Sequence, residues 1–299
     1  MTNLLHRADR LRADRTPFVL ATVVRAERPT SAKAGDRALV LPDGTMEGFV
    51  GGTCAESTVR LQGLRLLETG ESTLLRITPD SEGPDDRPGA EGLLTVANPC
   101  LSGGTLEIFL EAMIPAPLVF VHGEAPVARA LVEVARAIGW DSSAQGPIPL
   151  DASAVVVASH GRDEGEILTA AVKAGVPYIA LVASRKRAAA VLSELDVPDG
   201  RIHAPAGLDI GARTPAEIAL SVLAEIISAR PRQTAPPPGR VMLPLIEKPS
   251  AVQTAKDPVC NMDVAVVPDA LHYQHEGTVY YFCGTGCRRA FADDPSRYL

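Results

Sequence analysis

Aromatic side chains are scarce in this chain. Its 299 residues include one Trp, five Tyr and six Phe, whereas 46% of the residues are hydrophobic. The cores must therefore be aliphatic, built from Ala, Val, Leu and Ile. Basic charge is not in excess either, because 29 Lys and Arg stand against 36 Asp and Glu, a formal net charge of -7. This net negative charge argues against nonspecific nucleic-acid binding, which requires a basic face, so no nucleic-acid partner is expected.

Long apolar runs and an apolar leader are also absent. No run reaches the roughly 18 residues that a membrane span needs, so no membrane partner is expected. The first residues, MTNLLHRADRLRADR, are polar and lack the apolar core of a secretory signal. The five cysteines, an odd number, are therefore expected to be reduced thiols in a cytoplasmic protein.

Composition divides the chain into four segments of an α/β protein. Residues 1–113 have the pattern of an N-terminal α+β domain. Residues 114–230 alternate strands and helices, which is typical of a Rossmann-like domain with a parallel sheet. Residues 231–253 are a proline-rich linker, and residues 254–299 form a small cysteine-rich module.

Turn and strand signals define the N-terminal domain. Apolar runs at 37–41 and 46–50 flank the turn Pro42-Asp43-Gly44, which predicts a hairpin. Residues 55–68 have helical spacing. Residues 78–91 are acidic and rich in Pro and Gly, so they are predicted to form a surface loop.

The middle segment has three buried strands by its apolar runs, at 118–121, 154–158 and 178–182. Thr214 followed by Glu217 is the signature of a capped helix start. Because strands and helices alternate, we expect a parallel sheet with helices on both of its faces.

Two cysteines lie beside glycines in the first domain. Cys54 stands in Gly-Gly-Thr-Cys-Ala-Glu, which ends at Glu56, and Cys100 stands in Asn-Pro-Cys-Leu-Ser-Gly-Gly. Glycine lets the backbone approach a ligand closely. A thiolate on such a turn can bind a metal, accept sulfur or coordinate a bulky cofactor. The alternative is that both are small buried residues next to tight turns.

Two features of the middle segment are typical of anion binding. Gly123 is the first glycine of a dinucleotide fingerprint whose other glycines are replaced by Ala125 and Ala128. The run Ser184-Arg185-Lys186-Arg187 opens a helix, where cations oppose the macrodipole and a bound anion would relieve them. The alternatives are a Rossmann-like fold without a nucleotide and a solvated basic turn.

The last module has the most specific spacing. Cys260 is followed by 22 residues, then Cys283, three residues and Cys287. Three soft thiolates suit zinc, copper(I) or iron, and a closed tetrahedral site needs a fourth ligand. The candidates for that ligand are His272, His275, Asp257 and water. The alternative is a set of buried thiols.

Residues 14–230 resemble the XdhC/CoxI family of accessory proteins, which mature molybdenum hydroxylases. The motifs that carry the resemblance are Arg28-Pro29-Thr30-Ser31, Gly48 through Glu56, Asn98 through Gly104, Ser184-Arg185-Lys186, and Gly207-Leu208-Asp209 with Thr214 through Ala219. The Gly-Gly-x-Cys-x-Glu form is most similar to the CoxI-like branch. The sequence departs from the family at the turn that begins with Gly123, where Ala125 and Ala128 replace the later glycines of the fingerprint. It also departs at Ala183, where the family often has glycine.

The resemblance implies an accessory factor that binds molybdenum cofactor and assists its modification and insertion into an apo molybdenum hydroxylase. The implied cofactor-binding residues are Cys54, Glu56, Cys100, Gly123, Ser184, Arg185 and Lys186. The hydroxylase would be of the xanthine dehydrogenase or aerobic carbon monoxide dehydrogenase type. A sulfur-donating desulfurase and a second copy of the chain are further candidate partners. No catalytic residue is assigned, and a cofactor chaperone is favoured over an enzyme.

The tail resembles a YHS domain, which is related to the TRASH metal-binding modules. The matching residues are Asp257-Pro258-Val259-Cys260-Asn261-Met262, Tyr280-Tyr281-Phe282-Cys283, Cys287, Phe291, Pro295 and Tyr298. Such domains are associated with heavy metals, so the resemblance implies a soft metal on Cys260, Cys283 and Cys287. Two other functions are weighed against the maturation factor: an NAD(P)-dependent oxidoreductase using the middle domain, and a soft-metal chaperone or sensor centred on the tail.

Overall fold

A computed structural model of the chain describes residues 2–79, 92–97, 104–230 and 252–299. Cys100 with its flanking motif, most of the predicted acidic loop and most of the proline-rich linker lie outside the described residues. The chain separates into two compact units, one formed by residues 1–115 with 238–299 and the other by residues 116–237. Within the described ranges, no helix is long and apolar enough to cross a membrane.

The N-terminal part of the first unit is a six-stranded sheet with two helices. Its elements are α1 (Thr2–Ala13), β1 (Phe18–Glu27), β2 (Arg37–Val40), β3 (Met46–Gly48), α2 (Thr53–Thr69), β4 (Thr73–Thr78), β5 (Leu93–Ala97) and β6 (Thr105–Met113). The strand order is β3-β2-β1-β6-β4-β5. All neighbours are antiparallel except β4 and β5. The predicted hairpin is present, because β2 pairs with β3 and Leu39 lies opposite Glu47.

Alternation along the strands gives this sheet two apolar faces. On one face Ala38 and Val40 of β2 share an aliphatic cluster with Val59 of α2. On the other face Leu39 packs with Leu11 of α1. Helix α2 ends at Gly70, whose left-handed conformation (φ 73°) lets its N–H bond to the Leu66 carbonyl. Ala55 and Val59 pack into the same cluster as the sheet, which places the first turn of α2, where Cys54 lies, beside that cluster.

The second unit is a four-stranded parallel sheet between two layers of helices. Its elements are β7 (Leu118–His122), α3 (Pro126–Ala137), β8 (Asp141–Ser143), β9 (Ala152–Val157), α4 (Glu164–Lys173), β10 (Tyr178–Leu181), α5 (Arg185–Ser193) and α6 (Pro215–Ala229). The strand order is β10-β9-β7-β8. Val156 packs towards a cluster that includes Leu131 of α3, and its neighbour Val155 packs towards Leu168 of α4. The predicted doubly covered parallel sheet is confirmed.

Helix α6 begins as its sequence predicts. The Thr214 hydroxyl accepts a hydrogen bond from the Glu217 N–H at 3.3 Å, and the Glu217 carboxylate accepts from the Thr214 N–H at 2.9 Å. These two reciprocal bonds satisfy donors that the first turn of a helix leaves open.

The C-terminal module is small and centred on aromatic rings. Its elements are β11 (Thr254–Lys256), β12 (Asp263–Ala265), β13 (His272–His275), β14 (Thr278–Tyr281), α7 (Thr285–Asp293) and a 3-10 turn at Pro295–Arg297. Phe291 of α7 is fully buried. Its ring lies 4.9 Å from that of Tyr280 and 5.3 Å from that of Phe282. The few aromatic residues of the chain are thus concentrated where a short segment must bury as much area as it can.

This module shares a core with the N-terminal sheet. Ala265 of β12 is a buried member of the same cluster as Ala55 and Val59 of α2, and Val252 and Val267 pack against that cluster. The division into four segments does not foresee this contact and remains a prediction. The contact brings the cysteines of the tail to the N-terminal end of α2.

Candidate functional site

Three thiols and one carboxylate of the tail form a compact cluster. The ligand atoms of Asp257, Cys260, Cys283 and Cys287 all lie within 4.8 Å of one another. The Cys283 sulfur is 3.5 Å from that of Cys260 and 3.7 Å from that of Cys287. Two thiolates bound at about 2.3 Å to one tetrahedral ion would be about 3.8 Å apart. The observed spacing therefore suits ligands of one ion, and it is far longer than the roughly 2.05 Å of a disulfide.

Local structure brings the three cysteines together. Cys260 lies in the turn between β11 and β12, where Asn261 adopts a left-handed conformation with φ 63°. Asn tolerates that region better than most residues, which explains how it can replace the glycine common in this motif. Cys283 follows β14, and Cys287 is the third residue of α7. A hairpin end and a helix start thus converge on one turn.

Asp257 positions the cysteines instead of facing outward. It is fully buried, and one carboxylate oxygen accepts the Val259 N–H at 2.9 Å while the other accepts the Cys283 N–H at 2.9 Å. These bonds tie the loop that holds Cys260 to the loop that holds Cys283. With both oxygens engaged by backbone donors, Asp257 is better suited to orienting the site than to ligating an ion.

The two histidines weighed as ligands lie elsewhere. His272 Nδ1 is 2.9 Å from the Ala270 carbonyl oxygen, and the His275 ring stands edge-on to Phe291 with the ring centres 6.1 Å apart. Over the described part of the chain, the mutually close donor set includes no histidine.

Crowding of the thiols perturbs their ionisation. The hydrogen bond from Cys283 holds the pKa of Cys260 below its usual value, although burial acts the other way. Hydrogen bonds with Cys260 and Cys54, together with burial, raise the pKa of Cys283 far above its usual value. Burial, aided by the charge of Asp257, raises the pKa of Cys287 to about 12. One thiolate is favoured and further ionisation is opposed, so a bound cation would relieve the repulsion.

Cys54 lies next to this cluster. It is the second residue of α2, after Gly51 (φ 138°) and the N-cap Gly52. It shares a hydrogen bond with Cys283. Glu56 lies in the first turn of the same helix and is half-buried. The structure therefore brings one predicted cofactor residue, Cys54, to the three predicted metal ligands.

A cavity of about 880 Å³ in the first unit was not foreseen from the sequence. It is lined by Leu4, Leu5, Arg7, Arg10, Gly35, Asp36, Arg37, Glu47, Gly48 and Phe49. Its size is within the range of small-molecule sites. Among the described residues, the buried Nε of Arg37 has no hydrogen-bond partner. The sequence does not predict this cavity, because the basic residues of α1 have the pattern of a solvent-exposed helix face.

In the second unit, Gly123 permits a close approach of two strands. It has φ 118°, and a Cβ at this position would lie 2.3 Å from the Ala158 carbonyl oxygen. The glycine is therefore needed for the turn after β7, whatever ligand that turn holds.

The basic run that opens α5 has divided roles. The Ser184 hydroxyl caps the helix by accepting the Arg187 N–H at 3.4 Å. Arg187 pairs with the buried Glu164, at 2.7 Å to each carboxylate oxygen. Arg187 is thus engaged within the protein, while Arg185 and Lys186 are exposed. Arg185 and Lys186 therefore remain candidates for binding an anion, and Arg187 does not.

A hydrogen-bonded cluster around Glu225 of α6 was missed by sequence reasoning. Its carboxylate accepts from the Tyr178 hydroxyl at 2.7 Å and from the Gly207 N–H at 2.6 Å, and it lies 2.9 Å from His203 Nδ1. Burial acts to raise the pKa of Glu225, but these hydrogen bonds outweigh it and hold the pKa below its usual value. The cluster fastens the Gly207-Leu208-Asp209 motif to α6. The signal in the sequence that could have predicted this cluster is Glu225, a single acidic residue within the apolar run of α6.

Glu225→Gln is expected to destabilise the second unit at neutral pH by about 1.5–3 kcal/mol, the range for hydrogen bonds to a charged group. Because the pKa of Glu225 is lower in the folded state, its contribution is present above the unfolded-state pKa and is lost as the pH falls. The unfolding free energy of the variant should therefore fall less steeply on acidification. Denaturant titration at several pH values measures this, with the exposed Glu194→Gln as control. Parallel pH slopes in wild type and Glu225→Gln would contradict it.

Family comparisons agree with this architecture. The XdhC and CoxI family matches residues 11–78, the XdhC Rossmann domain matches residues 119–226 and the YHS domain matches residues 255–299. These matches correspond to β1 to β4 with α2, to the parallel-sheet unit and to the cysteine module.

Individual relatives are more distant. The uncharacterized protein YqeB of Escherichia coli K12 is 27% identical over 263 residues, which are 76% of this chain and 46% of YqeB, so the chain spans about half the length of that relative. PaoD of Escherichia coli K12, a molybdenum cofactor insertion chaperone, is 24% identical over 72% of this chain and 84% of its own. A protein of Bacillus subtilis 168, named as a probable component of xanthine dehydrogenase, is 40% identical over 84 residues, 28% of this chain and 25% of that protein.

One solved structure is also similar. It is described as a xanthine dehydrogenase from Bacillus halodurans, with 17% identity and a TM-score of 0.36 over 78% of this chain and 98% of that chain. The classification rests on the three domain matches instead. The chain belongs to the XdhC and CoxI family and carries a YHS domain at its end.

Proposed function

We propose that this protein is an accessory factor that binds molybdenum cofactor and assists its modification and insertion into a molybdenum hydroxylase of the xanthine dehydrogenase or aerobic carbon monoxide dehydrogenase type. The observation that carries the proposal is the likeness to PaoD, which extends over 84% of that molybdenum cofactor insertion chaperone. The probable xanthine dehydrogenase component of Bacillus subtilis, which matches over 84 residues, supports the same class of client.

The cavity of the first unit suits the pterin part of such a cofactor. Its volume of about 880 Å³ accommodates a fused-ring ligand with a phosphate. Arg37 is one of the lining residues, and its Nε is buried without a hydrogen-bond partner among the described residues. Arg guanidinium groups bind phosphate and planar acceptors through paired hydrogen bonds. Arg7 and Arg10 line the same cavity, although the Arg7 Nε is 3.1 Å from Glu47.

Thiolates would bind the molybdenum or a transferred sulfur. Cys54 and Cys100 are proposed for this role, with Glu56 polarising a thiol in the first turn of α2. When bound, the cofactor would supply the metal and dithiolene chemistry. The protein would supply positioning and exclusion of water.

A separate anion site is proposed in the second unit. Ser184 caps α5, and Arg185 and Lys186 occupy the first turn of that helix. Together with the Gly123 turn, they are proposed to hold a phosphate at the carboxyl edge of the parallel sheet, where ligands of such folds bind.

The YHS domain is proposed to hold one soft metal ion on Cys260, Cys283 and Cys287. Thiolate ligands favour zinc, copper(I) or iron over hard cations. A soft-metal chaperone or sensor is the second candidate function, and the compact thiol cluster is the observation that favours it.

Arg37→Lys is expected to weaken cofactor binding about tenfold, because lysine keeps the charge but loses the planar fork of donors. Purified protein from a cofactor-sufficient host should carry pterin at up to one equivalent, measured by oxidation to a fluorescent product, and the variant should carry less. The exposed Arg65→Lys on α2 is the matched control.

Specific experimental outcomes would refute cofactor binding or favour the second candidate function. Wild-type protein that holds no pterin, even after cofactor is added, would refute cofactor binding. If Cys283→Ser then removes both the metal and the activity of the pathway, the metal chaperone would replace the maturation factor as the function.

A further inference from the structure

We propose that Cys54 is the fourth thiolate ligand of the metal centre, so that one ion joins α2 of the N-terminal sheet to the YHS domain. The inference rests on the proposed soft-metal site at Cys260, Cys283 and Cys287 and completes its ligand set. Cys54 shares a hydrogen bond with Cys283, the thiol that also contacts both other cysteines of the tail.

The backbone around Cys283 is shaped for this contact. Gly284 follows Cys283, and a Cβ at Gly284 would lie 3.1 Å from the Cys54 sulfur and 3.1 Å from the Thr53 hydroxyl oxygen. Such distances are tighter than normal packing allows for a methyl group. A residue without a side chain therefore lets the start of α7 approach the start of α2.

The other donors near the site have different partners. Both oxygens of Asp257 accept backbone N–H groups. His272 Nδ1 is at hydrogen-bond distance from the Ala270 carbonyl oxygen, and the His275 ring contacts Phe291. A tetrahedral centre with three cysteines needs one more ligand, and Cys54 is the described thiol that adjoins the cluster.

Electrostatics favour a thiolate-rich centre at this point. Cys54 is the second residue of α2 and Cys287 the third residue of α7. The N-terminal end of a helix carries partial positive charge that stabilises anions. Two helix starts therefore meet at a centre that has net negative charge when four thiolates bind a divalent ion.

Binding of Cys54 to the metal requires its side chain to move, and it makes the thiolate unavailable to another ligand. Cys54 contacts Cys283 but is not in the mutually close set with Cys260 and Cys287, so it must approach them as the ion binds. Once bound to the metal, its thiolate is not available to the molybdenum cofactor. Metal on the YHS domain and cofactor on Cys54 would then exclude each other.

Cobalt(II) titration of the full-length protein tests the ligand set, because the thiolate-to-cobalt absorption scales with the number of bound sulfurs. Wild type is expected to show four thiolates. Cys54→Ser should show three and bind cobalt at least about 10-fold more weakly, because loss of an outer-shell partner alone costs roughly 10- to 100-fold. Gly284→Ala should weaken binding in the same direction by displacing Cys54 without removing it. Gly286→Ala is the control, since no atom lies within 4 Å of its added Cβ.

The outcomes separate this inference from the metal site itself. Unchanged absorption and affinity in Cys54→Ser, with binding abolished in Cys283→Ser, would overturn the role of Cys54 and leave the three-cysteine site. No cobalt binding by wild type would overturn both. As a readout without variants, cobalt should slow alkylation of Cys54 at least tenfold in wild type, and an unchanged rate would also overturn the proposal. Circular dichroism checks that each variant is folded.

Discussion

Cys283→Ser is expected to lower the affinity of the tail for a thiophilic metal by about 100-fold or more, because it removes the ligand at the centre of the cluster. The Cys283 sulfur lies 3.5 Å and 3.7 Å from its two neighbours in the tail and also contacts Cys54. Loss of an outer-shell partner alone costs roughly 10- to 100-fold, so loss of this ligand should cost more. Competition with a chromophoric chelator, using zinc and copper(I) in parallel, measures the affinity.

Stability should change together with metal affinity. Metal that binds only the folded chain stabilises it by about 2.7 kcal/mol at a free concentration of 100 times the dissociation constant. Adding zinc should therefore raise the melting temperature of wild type and leave that of Cys283→Ser nearly unchanged. Gly286→Ala, three residues away in α7, should behave like wild type. Equal affinities in wild type and Cys283→Ser would show that the cysteines are packing residues.

Gly123→Ala is expected to destabilise the second unit by roughly 3 kcal/mol, the sum of a steric and a conformational cost. The added methyl would lie 2.3 Å from the Ala158 carbonyl oxygen, and φ is 118°. Because the obstructing atom is backbone, it cannot move aside as a flexible side chain would. Gly175→Ala separates the two costs, since it has φ 69° and nothing within 4 Å of the added Cβ, so it should cost about 1 kcal/mol.

The single tryptophan reports this loss directly. Trp140 packs against the core cluster of the second unit, with the Arg230 guanidinium 4.2 Å above its ring. Its fluorescence therefore follows unfolding of that unit in denaturant. If Gly123→Ala unfolds at the same denaturant concentration as wild type, the turn after β7 can accommodate the added methyl group. The role of Gly123 would then be access for a ligand and not stability of the turn.

Local patterns predicted most of the fold. Continuous apolar runs gave the strands around Val121, Val156 and Ile179, and the Thr214 and Glu217 pair gave the start of α6. These features depend on residues close in sequence, so periodicity and capping chemistry suffice to predict them. The spacing of Cys260, Cys283 and Cys287 likewise predicted a cluster that the structure assembles.

Contacts between distant segments could not be predicted in this way. The packing of Ala265 on α2 depends on shape complementarity that no local pattern encodes. The contact between Cys54 and Cys283 depends on the same packing. The three partners of Glu225 come from β10 and from the segment that precedes α6, so only the folded sheet brings them together.

The shared core of the first unit has a consequence for synthesis on the ribosome. Ala55 and Val59 are made long before Ala265, and the whole second unit is translated in between. At 5–20 residues per second, the segment from 116 to 265 takes roughly 8–30 s to emerge. The second unit can fold during this interval, while the part of the apolar surface of α2 that packs against Ala265 stays uncovered. A chaperone that binds nascent chains should therefore associate with the first unit until the YHS domain has left the exit tunnel.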